Sequence, residues 1–379
     1  VRVMRLRDGD GDGDDGDGDG WTAETPFAPF AAWVHDVRGI ADDDGARGRA
    51  MAIGLSDNAV ELWRRDAEGD GWTRAERVEC ESRCLLYTLA LSASETWAGM
   101  TVAAGTIFND VQLWCVRDGA VRVKCVGHEG SLMRVRFGED GDVVYSSSDD
   151  RTARVWDVPE NAMDSNTCVS VRPSAVLAGH VARVWDCVRI DGERPVYATA
   201  GEDCTVRVWD ANNARGTETL EQGVTRRPQC ELAVLRGHRG RGIWRVCKLK
   251  AFNGDVVLAS AGADGYVCVW DARNKATPAL KVKTHDTDVN VMSWNRVANC
   301  MLATGADDGG LRIWDLRMFS PSETKFVANF QFHRAPVTSV EWSRFDSAML
   351  ATALSMSDVA KRAPPSELYA VCLLYTSPS

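Results

Sequence analysis

One block of sequence recurs four times in this chain and limits its possible folds more than any other feature. The copy at residues 179–210 begins with Gly179-His180 and ends with Trp209-Asp210. In every copy an Asp stands six positions before a Trp, and a His stands 28 to 32 positions before the same Trp. The four sets are His128, Asp150 and Trp156; His180, Asp203 and Trp209; His238, Asp264 and Trp270; and His285, Asp308 and Trp314.

The residues between these fixed points predict strands. In the 179–210 copy, the apolar runs at 184–190 and 196–200 and the closing segment 206–210 are short and rich in β-branched residues. Turn residues separate them, which is typical of antiparallel strands. Each copy therefore predicts a small β-sheet, and the chain as a whole an all-β fold.

A repeat of roughly 40 to 50 residues that opens with Gly-His and closes with Trp-Asp is typical of one architecture. On these residues the chain resembles the WD-repeat superfamily over nearly its whole length, which implies a WD-repeat β-propeller. We predict seven blades begun, with the seventh incomplete. The first blade lacks the opening Gly-His, and in the second blade Phe108 stands where the Asp should be. The last blade begins at His333 and stops after a strand at 348–353.

The sequence outside the repeats predicts the domain boundaries. Residues 1–20 form an Asp/Gly-rich tract that we expect to be disordered, and its match to a calcium loop is the chance result of repetition. Residues 21–354 form the predicted propeller, with loops at 158–173 and 212–229. Residues 355–379 form an unstructured tail that has the character of a spurious translation, so we expect a fragment damaged at one or both ends.

Composition argues against several classes of protein. No apolar run approaches the roughly 18 residues that span a bilayer, so we expect no membrane partner. The 12 cysteines are scattered without a Cys-x-x-Cys pair, which favours reduced, buried thiols over a metal site or disulfides. We predict a cytoplasmic protein, with the nucleus or nucleolus as the alternative. The net charge of −10 argues against indiscriminate nucleic-acid binding, although a local basic surface stays open.

The recurring His, Asp and Trp, with a strand Ser or Thr, have the side-chain types of a catalytic triad. In the WD-repeat family the same residue types form a buried hydrogen-bond network that fixes each blade, and a triad does not recur four times along one chain. No phosphate-binding loop, dinucleotide-binding motif or Gly-x-Ser-x-Gly is present in the sequence. We therefore predict no enzymatic activity, no cofactor, no metal and no small-molecule substrate.

One segment is strongly basic. Residues 232–254 contain no Asp or Glu but six Arg and Lys. Arg239 and Arg241 follow His238 in a loop that we expect on the top face of the propeller, and Arg183 holds the equivalent place after His180. With Arg245, these arginines are candidate contacts to RNA or a protein partner beside Trp185 or Trp244. The alternative is a solvated loop over tryptophans of the core.

Finer resemblances divide the chain in two. Five segments at 57–63, 83–87, 104–109, 180–185 and 240–244 resemble the first propeller of the WD repeat-containing protein 6 family. That family is the non-catalytic partner of a tRNA 2′-O-ribose methyltransferase that acts at the wobble nucleotide. The resemblance implies an adaptor whose partners are the catalytic subunit of the methyltransferase and the tRNA.

After about Asp264 the chain resembles the glutamate-rich WD-repeat family of ribosome-assembly factors, on segments 285–295, 307–317 and 335–342. This implies the alternative of a chaperone for a ribosomal protein, or for histones, and a generic interaction scaffold remains if both resemblances fail. The change falls between roughly residues 256 and 270. We expect a chimeric assembly joined at a shared repeat, with a genuine fused gene as the alternative.

Overall fold

The computed structural model describes residues 2–6, 21–24, 34–41, 47–65, 72–82, 86–94, 96–190, 194–214, 230–240, 242–250, 256–271, 277–298, 300–319, 325–331, 333, 335–342, 350–354 and 372–374. Strands dominate this part of the chain, and three 3₁₀ turns interrupt them: Ala162–Asp164, Ala211–Ala214 and Leu316–Met318. The fold is an all-β WD40 propeller, as predicted.

The strands follow one another in sheets along the chain. Two strands, β1 (Arg2–Leu6) and β2 (Trp21–Glu24), precede the first blade. Blade one contains β3 (Val34–Ala41), β4 (Arg47–Leu55), β5 (Ala59–Arg65) and β6 (Trp72–Glu79). Blade two contains β7 (Leu86–Leu91), β8 (Thr101–Thr106), β9 (Val111–Cys115) and β10 (Val121–Cys125). Blade three contains β11 (Leu132–Phe137), β12 (Val143–Ser148), β13 (Thr152–Asp157) and, after the separate strand β14 (Val169–Val171), β15 (Ala175–Ala178).

The remaining blades repeat the plan. Blade four contains β16 (Val184–Arg189), β17 (Val196–Gly201), β18 (Thr205–Asp210) and β19 (Glu231–Arg236). Blade five contains β20 (Ile243–Lys250), β21 (Val256–Gly262), β22 (Tyr266–Asp271) and β23 (Leu280–Lys283). Blade six contains β24 (Val289–Trp294), β25 (Met301–Ala306), β26 (Leu311–Asp315) and β27 (Ala328–Phe330). Three strands follow: β28 (Val337–Trp342), β29 (Leu350–Leu354) and β30 (Cys372–Leu374).

Each sheet buries both faces because it packs between two neighbours. Tyr145 and Leu177 of blade three pack in one cluster with Cys187, Tyr197 and Trp209 of blade four. Middle strands are accordingly buried on both faces, and all five residues of β9 are buried, Gln112 included. This is the sequence signature of a sheet without a solvent face, and it explains why the core is a ring of interfaces.

The prediction of seven blades with an incomplete seventh is wrong. Six blades form from continuous stretches of chain, and β28 and β29 do not stand as an unfinished seventh. They lie instead in a five-stranded sheet whose other members are β30, β1 and β2. The sequence missed this because strands from opposite ends of the chain share no periodicity.

Parts of both predicted disordered ends therefore occupy strands. Strand β1 pairs antiparallel with β2 and parallel with β30, which pairs with β29. Residues 7–20, with the calcium-loop match, and 355–371 lie outside the described residues. The ring closes where β28 meets β3, and Arg38 Nη1 lies 3.2 Å from Glu341 Oε1 across this contact.

The long insert within blade three, between β13 and β15, is not only a loop. Its strand β14 pairs parallel with β10, so that Val169 lies beside Val123 in the sheet of blade two. Blade three therefore adds a fifth strand to its neighbour. The second predicted loop spans residues 212–229. Residues 212–214 lie in the 3₁₀ turn Ala211–Ala214, and residues 215–229 lie outside the described residues.

The first strand of every blade, and β28, lies against the first strand of the next sheet, so these seven strands surround the axis. Each carries a register shift directly after its first residue, which leaves one extra residue at that point. Such a bulge twists the strand and redirects a side chain. The extra residues are His35, Tyr87, Met133, Trp185, Trp244, Asn290 and Thr338.

Two glycines with the same backbone conformation test how tightly the blades fit. Gly265 has φ +75°, and a Cβ there would lie 2.4 Å from the carbonyl oxygen of His285. Gly141 has φ +76° with nothing within 4 Å of such a Cβ. We expect Gly141→Ala to cost about 1 kcal/mol of unfolding free energy, and Gly265→Ala about 3 kcal/mol because the backbone must also move. Urea unfolding measures both free energies. Equal losses of unfolding free energy in the two variants would contradict the tight packing around Gly265.

Candidate functional site

The predicted repeat residues meet in a chain of hydrogen bonds inside the blades. In blade four, Trp209 Nε1 donates to the Thr199 hydroxyl (2.8 Å), which lies 2.7 Å from His180 Nε2. His180 Nδ1 lies 2.9 Å from Asp203 Oδ2. Because an indole N–H can only donate, the hydroxyl accepts the hydrogen bond from Trp209 and can donate its own O–H to His180 Nε2. In this arrangement the Nδ1–H of the ring donates to the Asp203 carboxylate.

Blades three and five repeat this geometry. The His–Asp distances are 2.7 Å for His128 and Asp150, and 2.9 Å for His238 and Asp264. The hydroxyls stand ten positions before the Trp of the same repeat, a spacing that would have identified them from the sequence: Ser146, Thr199, Ser260 and, in blade six, Thr304. All four are buried without solvent exposure, so none can reach a substrate.

Burial controls the protonation of these groups. It lowers the pKa of His128 even though Asp150 lies beside the ring, which agrees with a neutral imidazole. Burial alone would raise the pKa of Asp264, but hydrogen bonds from His238 and from the Arg239 backbone lower it to about 2. With the Asp264 carboxylate charged, its hydrogen bond with His238 is charge-assisted.

The fourth predicted set is assembled differently. His285 Nε2 lies 2.8 Å from the Thr304 hydroxyl, which also accepts from Trp314. His285 Nδ1 has no hydrogen-bond partner among the residues that the structure describes. Asp308 accepts instead from the Gly310 backbone at 2.8 Å. Burial, and then the Arg312 charge, lower the pKa of His285 to about 4.

The two arrangements predict unequal costs of removing the Asp. Asp264→Ala should lower the unfolding free energy by about 2 to 3 kcal/mol, because the buried His238 Nδ1–H loses its acceptor. Asp308→Ala should cost about 1 kcal/mol or less, because Asp308 accepts a hydrogen bond from within its own turn. Denaturant unfolding of both variants measures the difference, and a larger effect of Asp308→Ala would refute it.

His285 also predicts a pH dependence. Its folded pKa of about 4 lies below the unfolded value of 6.5, so the unfolded state binds more protons between these values. Stability from this group is complete above about pH 6.5 and falls as the pH drops toward 4, by at most about 3 kcal/mol. His285→Gln should flatten this part of a urea-unfolding profile.

The matched control is Thr304→Val, which removes the hydroxyl but keeps the imidazole. It should lower stability at every pH and leave the slope between pH 6.5 and 4 in place. An unchanged slope in His285→Gln would show that another group titrates there.

The candidate contact residues fall in two places. Arg183 and Arg239 lie at the N-terminal mouth of the channel, where the loops after His180 and His238 meet the inner strands. The rings of Trp185 and Trp244 form a T-shaped pair there, with centroids 4.6 Å apart, and Arg183 lies over Trp185 at 5.4 Å. We call these two indoles the tryptophan pair.

The two arginines at the mouth differ in their surroundings. Arg183 Nε lies 2.8 Å from Glu202 and 3.3 Å from Asp149, so its charge is already compensated. Arg239 is exposed, and its backbone N–H donates to Asp264 at 3.0 Å. Arg241 lies outside the described residues.

Arg245 does not join this group. It lies in β20 on the wall of the central channel, where Arg134, Arg136 and Asp186 are its charged neighbours. The sequence placed it with the rim arginines because they are adjacent in the chain. The bulge at Trp244 separates it from them.

Metal ligands and reactive thiols do not assemble into a second site in this part of the molecule. Within the described ranges, no three His, Cys, Asp or Glu side chains stand close enough to hold a metal ion. Ten cysteines in these ranges have free thiols, and burial raises the pKa of several, Cys247 to about 12. No helix among the described residues is long and apolar enough to cross a membrane.

Comparison with known proteins agrees with this geometry. The family model of the WD domain, G-beta repeat, matches residues 119–157, 171–210, 229–271 and 276–315. In structure the chain is similar to the WD40 β-propeller domain of Doa1, with a TM-score of 0.64 and 15% identity over 93% of this chain and 96% of that one. That likeness concerns the fold alone.

Curated relatives share about a quarter of their residues with this chain over the matched lengths. The chain is 25% identical to the tRNA (34-2′-O)-methyltransferase regulator WDR6 of Mus musculus over 66% of its own length and 20% of the relative. It is 24% identical to eukaryotic translation initiation factor 3 subunit I of Drosophila willistoni, over 60% of this chain and 62% of the relative. The chain thus spans about a fifth of the methyltransferase regulators that it matches.

Proposed function

Because this chain is a WD40-repeat propeller with distant relatives among methyltransferase regulators, we propose that it is a non-catalytic scaffold. Its specific role is that of an adaptor for 2′-O-ribose methylation of the tRNA wobble nucleotide. The supporting observation is its likeness to these regulators over 66% of the chain or more. The partners are the catalytic subunit of the methyltransferase and the tRNA. We place this function in the cytoplasm, with the nucleus or nucleolus as the alternative.

The buried networks support a role without catalysis. The hydroxyls of Ser146, Thr199 and Ser260 have the His and Asp neighbours of a triad, but they are fully buried and each accepts from a tryptophan. A nucleophile must reach its substrate. These side chains hold the blades together, which leaves the surface for binding.

The mouth of the channel supports contact with RNA. The indole N–H groups of Trp185 and Trp244 have no hydrogen-bond partner among the described residues. Both rings are half-buried at the mouth, and Arg239, in the loop before Trp244, is exposed. Aromatic rings next to a cation suit stacked bases and phosphates of single-stranded RNA. Because Arg183 is compensated by two carboxylates, Arg239 and the tryptophan pair carry this part of the proposal.

A second surface suits the protein partner. Phe108 occupies the position where other blades carry the network Asp, and 71% of its surface is exposed. Ile107 beside it is also exposed. Exposed apolar neighbours in a turn are typical of protein contacts. We assign the methyltransferase subunit to this turn of blade two.

The test of RNA contact uses two variants and a charge control. Trp244→Ala should weaken tRNA binding about tenfold, the value expected when one base no longer stacks on an aromatic ring. Arg239→Glu should also weaken tRNA binding, and its loss of affinity relative to the unaltered chain should grow as the salt concentration is lowered. Arg172→Glu makes the same change of charge at an exposed position between β14 and β15 and should leave the affinity for tRNA unchanged. Filter binding or fluorescence anisotropy measures the affinities. Equal losses of affinity in Arg239→Glu and Arg172→Glu would show that Arg239 acts only through the net charge of the protein and forms no specific contact with the tRNA.

The adaptor role is tested on the full-length gene product. Removing the gene should abolish ribose methylation at the tRNA wobble nucleotide, measured by mass spectrometry, and Phe108→Asp should reduce co-purification of the methyltransferase. Normal methylation after deletion would eliminate the adaptor role. The ribosome-assembly alternative from the residues after Asp264 stays a prediction, which accumulation of large-subunit precursors in the same deletion would support.

A further inference from the structure

The wall of the central channel carries more positive charge than its own carboxylates neutralise. Among the described residues, the inner strands place four arginines there, Arg38, Arg134, Arg136 and Arg245, against three carboxylates, Asp36, Asp186 and Glu341. They occupy the first and third positions after the bulge of each strand. Side chains two residues apart share one face of a strand, so all of them face the axis.

The carboxylates are already committed. Asp186 accepts four hydrogen bonds: from Arg136 Nε (3.2 Å) and Nη2 (2.9 Å), and from the backbone N–H groups of Cys187 (2.9 Å) and Val246 (3.2 Å). Four bonds use the full accepting capacity of a carboxylate. Asp186 therefore has no lone pair left for Arg134 or Arg245, although both lie near it.

Asp36 and Glu341 are engaged in the same way. Asp36 accepts from the backbone of Val37 (3.0 Å) and of Leu91 (2.9 Å), and Arg38 Nε lies 3.3 Å from it. Glu341 accepts from Arg38 (3.2 Å) and from the Ser293 hydroxyl (3.4 Å). These contacts join neighbouring blades, so the acids cannot turn toward another cation without loosening the ring.

Two guanidinium groups are left over. Among the described residues, neither Arg134 nor Arg245 forms a hydrogen bond or an ion pair, and Arg134 Nε is buried without a partner. Burial and the neighbouring Arg134 charge lower the pKa of Arg245 to about 9, and burial and the Arg136 charge lower the pKa of Arg134. A guanidinium keeps its proton in proteins, so these shifts mark an unfavourable charged state that an anion would relieve.

The space beside these groups has the size of a ligand site. A cavity of about 440 Å³ opens into the channel, and Arg134 and Arg136 form part of its wall. Arg245 is a charged neighbour of Arg134 but is not itself part of that wall. Further along, the cavity is lined by the cationic side chains of Arg189, Lys248 and Arg296 together with two carboxylates, Glu139 and Asp140. Lys248 Nζ lies 3.9 Å from Glu139 Oε1. Sites for small molecules span roughly 300 to 1,000 Å³. Guanidinium groups suit phosphate oxygens because their fork of N–H donors matches the oxyanion.

We infer that the central channel binds a small molecule carrying two or more phosphate groups, held by Arg134 and Arg245. More than one phosphate fits because six cationic side chains line the cavity against four carboxylates. An anion in this position would bridge blades three and five, whose inner strands carry the two arginines. The site lies inside the ring and is independent of the proposed RNA contact at the mouth.

The test is titration calorimetry of the purified chain with sodium pyrophosphate and with inorganic phosphate, against sodium chloride of equal ionic strength. We expect saturable binding of pyrophosphate, tighter than that of phosphate. Arg134→Met and Arg245→Met should each weaken it at least tenfold, about 1.4 kcal/mol. The control Arg172→Met, on the exposed surface, should bind as the unaltered chain does.

A second measurement separates binding from a purely structural role. Without ligand, Arg245→Met should unfold at the same temperature as the unaltered chain or a higher one, because an uncompensated buried charge has been removed. Pyrophosphate should raise the midpoint of the unaltered chain and not that of the variant. If Arg134→Met does not fold, Arg134→Lys, which keeps the charge but loses the fork, replaces it. Absence of saturable binding, or equal binding by Arg245→Met, would overturn the inference.

Discussion

The most regular blades depend on one interaction, the hydrogen bonding of both nitrogens of a buried imidazole. In blades three, four and five a strand hydroxyl and a turn carboxylate meet this need, and the indole of the closing Trp completes the chain. The bonds tie the loop before a blade to its second and third strands. Once these are fixed, each sheet presents a flat apolar face to the next, and stacked faces supply the burial that stabilises the ring.

The networks vary where other contacts replace them. In blade one, Trp63 Nε1 donates to Glu61 at 3.0 Å instead of a strand hydroxyl. In blade two, Trp114 Nε1 has no partner among the described residues, and Ala104 stands where a hydroxyl would be. These two blades keep the shape of the repeat through packing, with Trp114 fully buried. Freed from the network, the turn of blade two can expose Phe108, which is where we place a protein partner.

Around the axis a different chemistry holds the blades together. Carboxylates on the inner strands accept backbone N–H groups from the adjacent blade, as Asp36 does from Leu91 and Asp186 from Val246. Buried charges of this kind cost desolvation energy and are retained only when fully hydrogen-bonded. The two arginines without such partners mark the channel as a binding site, while the mouth above it presents the tryptophan pair. Surface and axis can thus bind different ligands on one rigid frame.

The sequence by itself determined the repeats, the all-β fold and the His, Asp and Trp members of the network in blades three to five, because residues such as His180, Asp203 and Trp209 belong to one repeat and their spacing is fixed by short strands and turns. Only the tertiary structure decided how the ring closes, since Arg38 and Glu341 meet across 303 positions of chain and share no local pattern. It also decided that Arg245 faces the axis, because one bulge residue separates it from the rim arginines beside it in sequence. Local periodicity encodes each blade, whereas contacts between distant segments set the blade count, the added strand β14 and the charge of the channel.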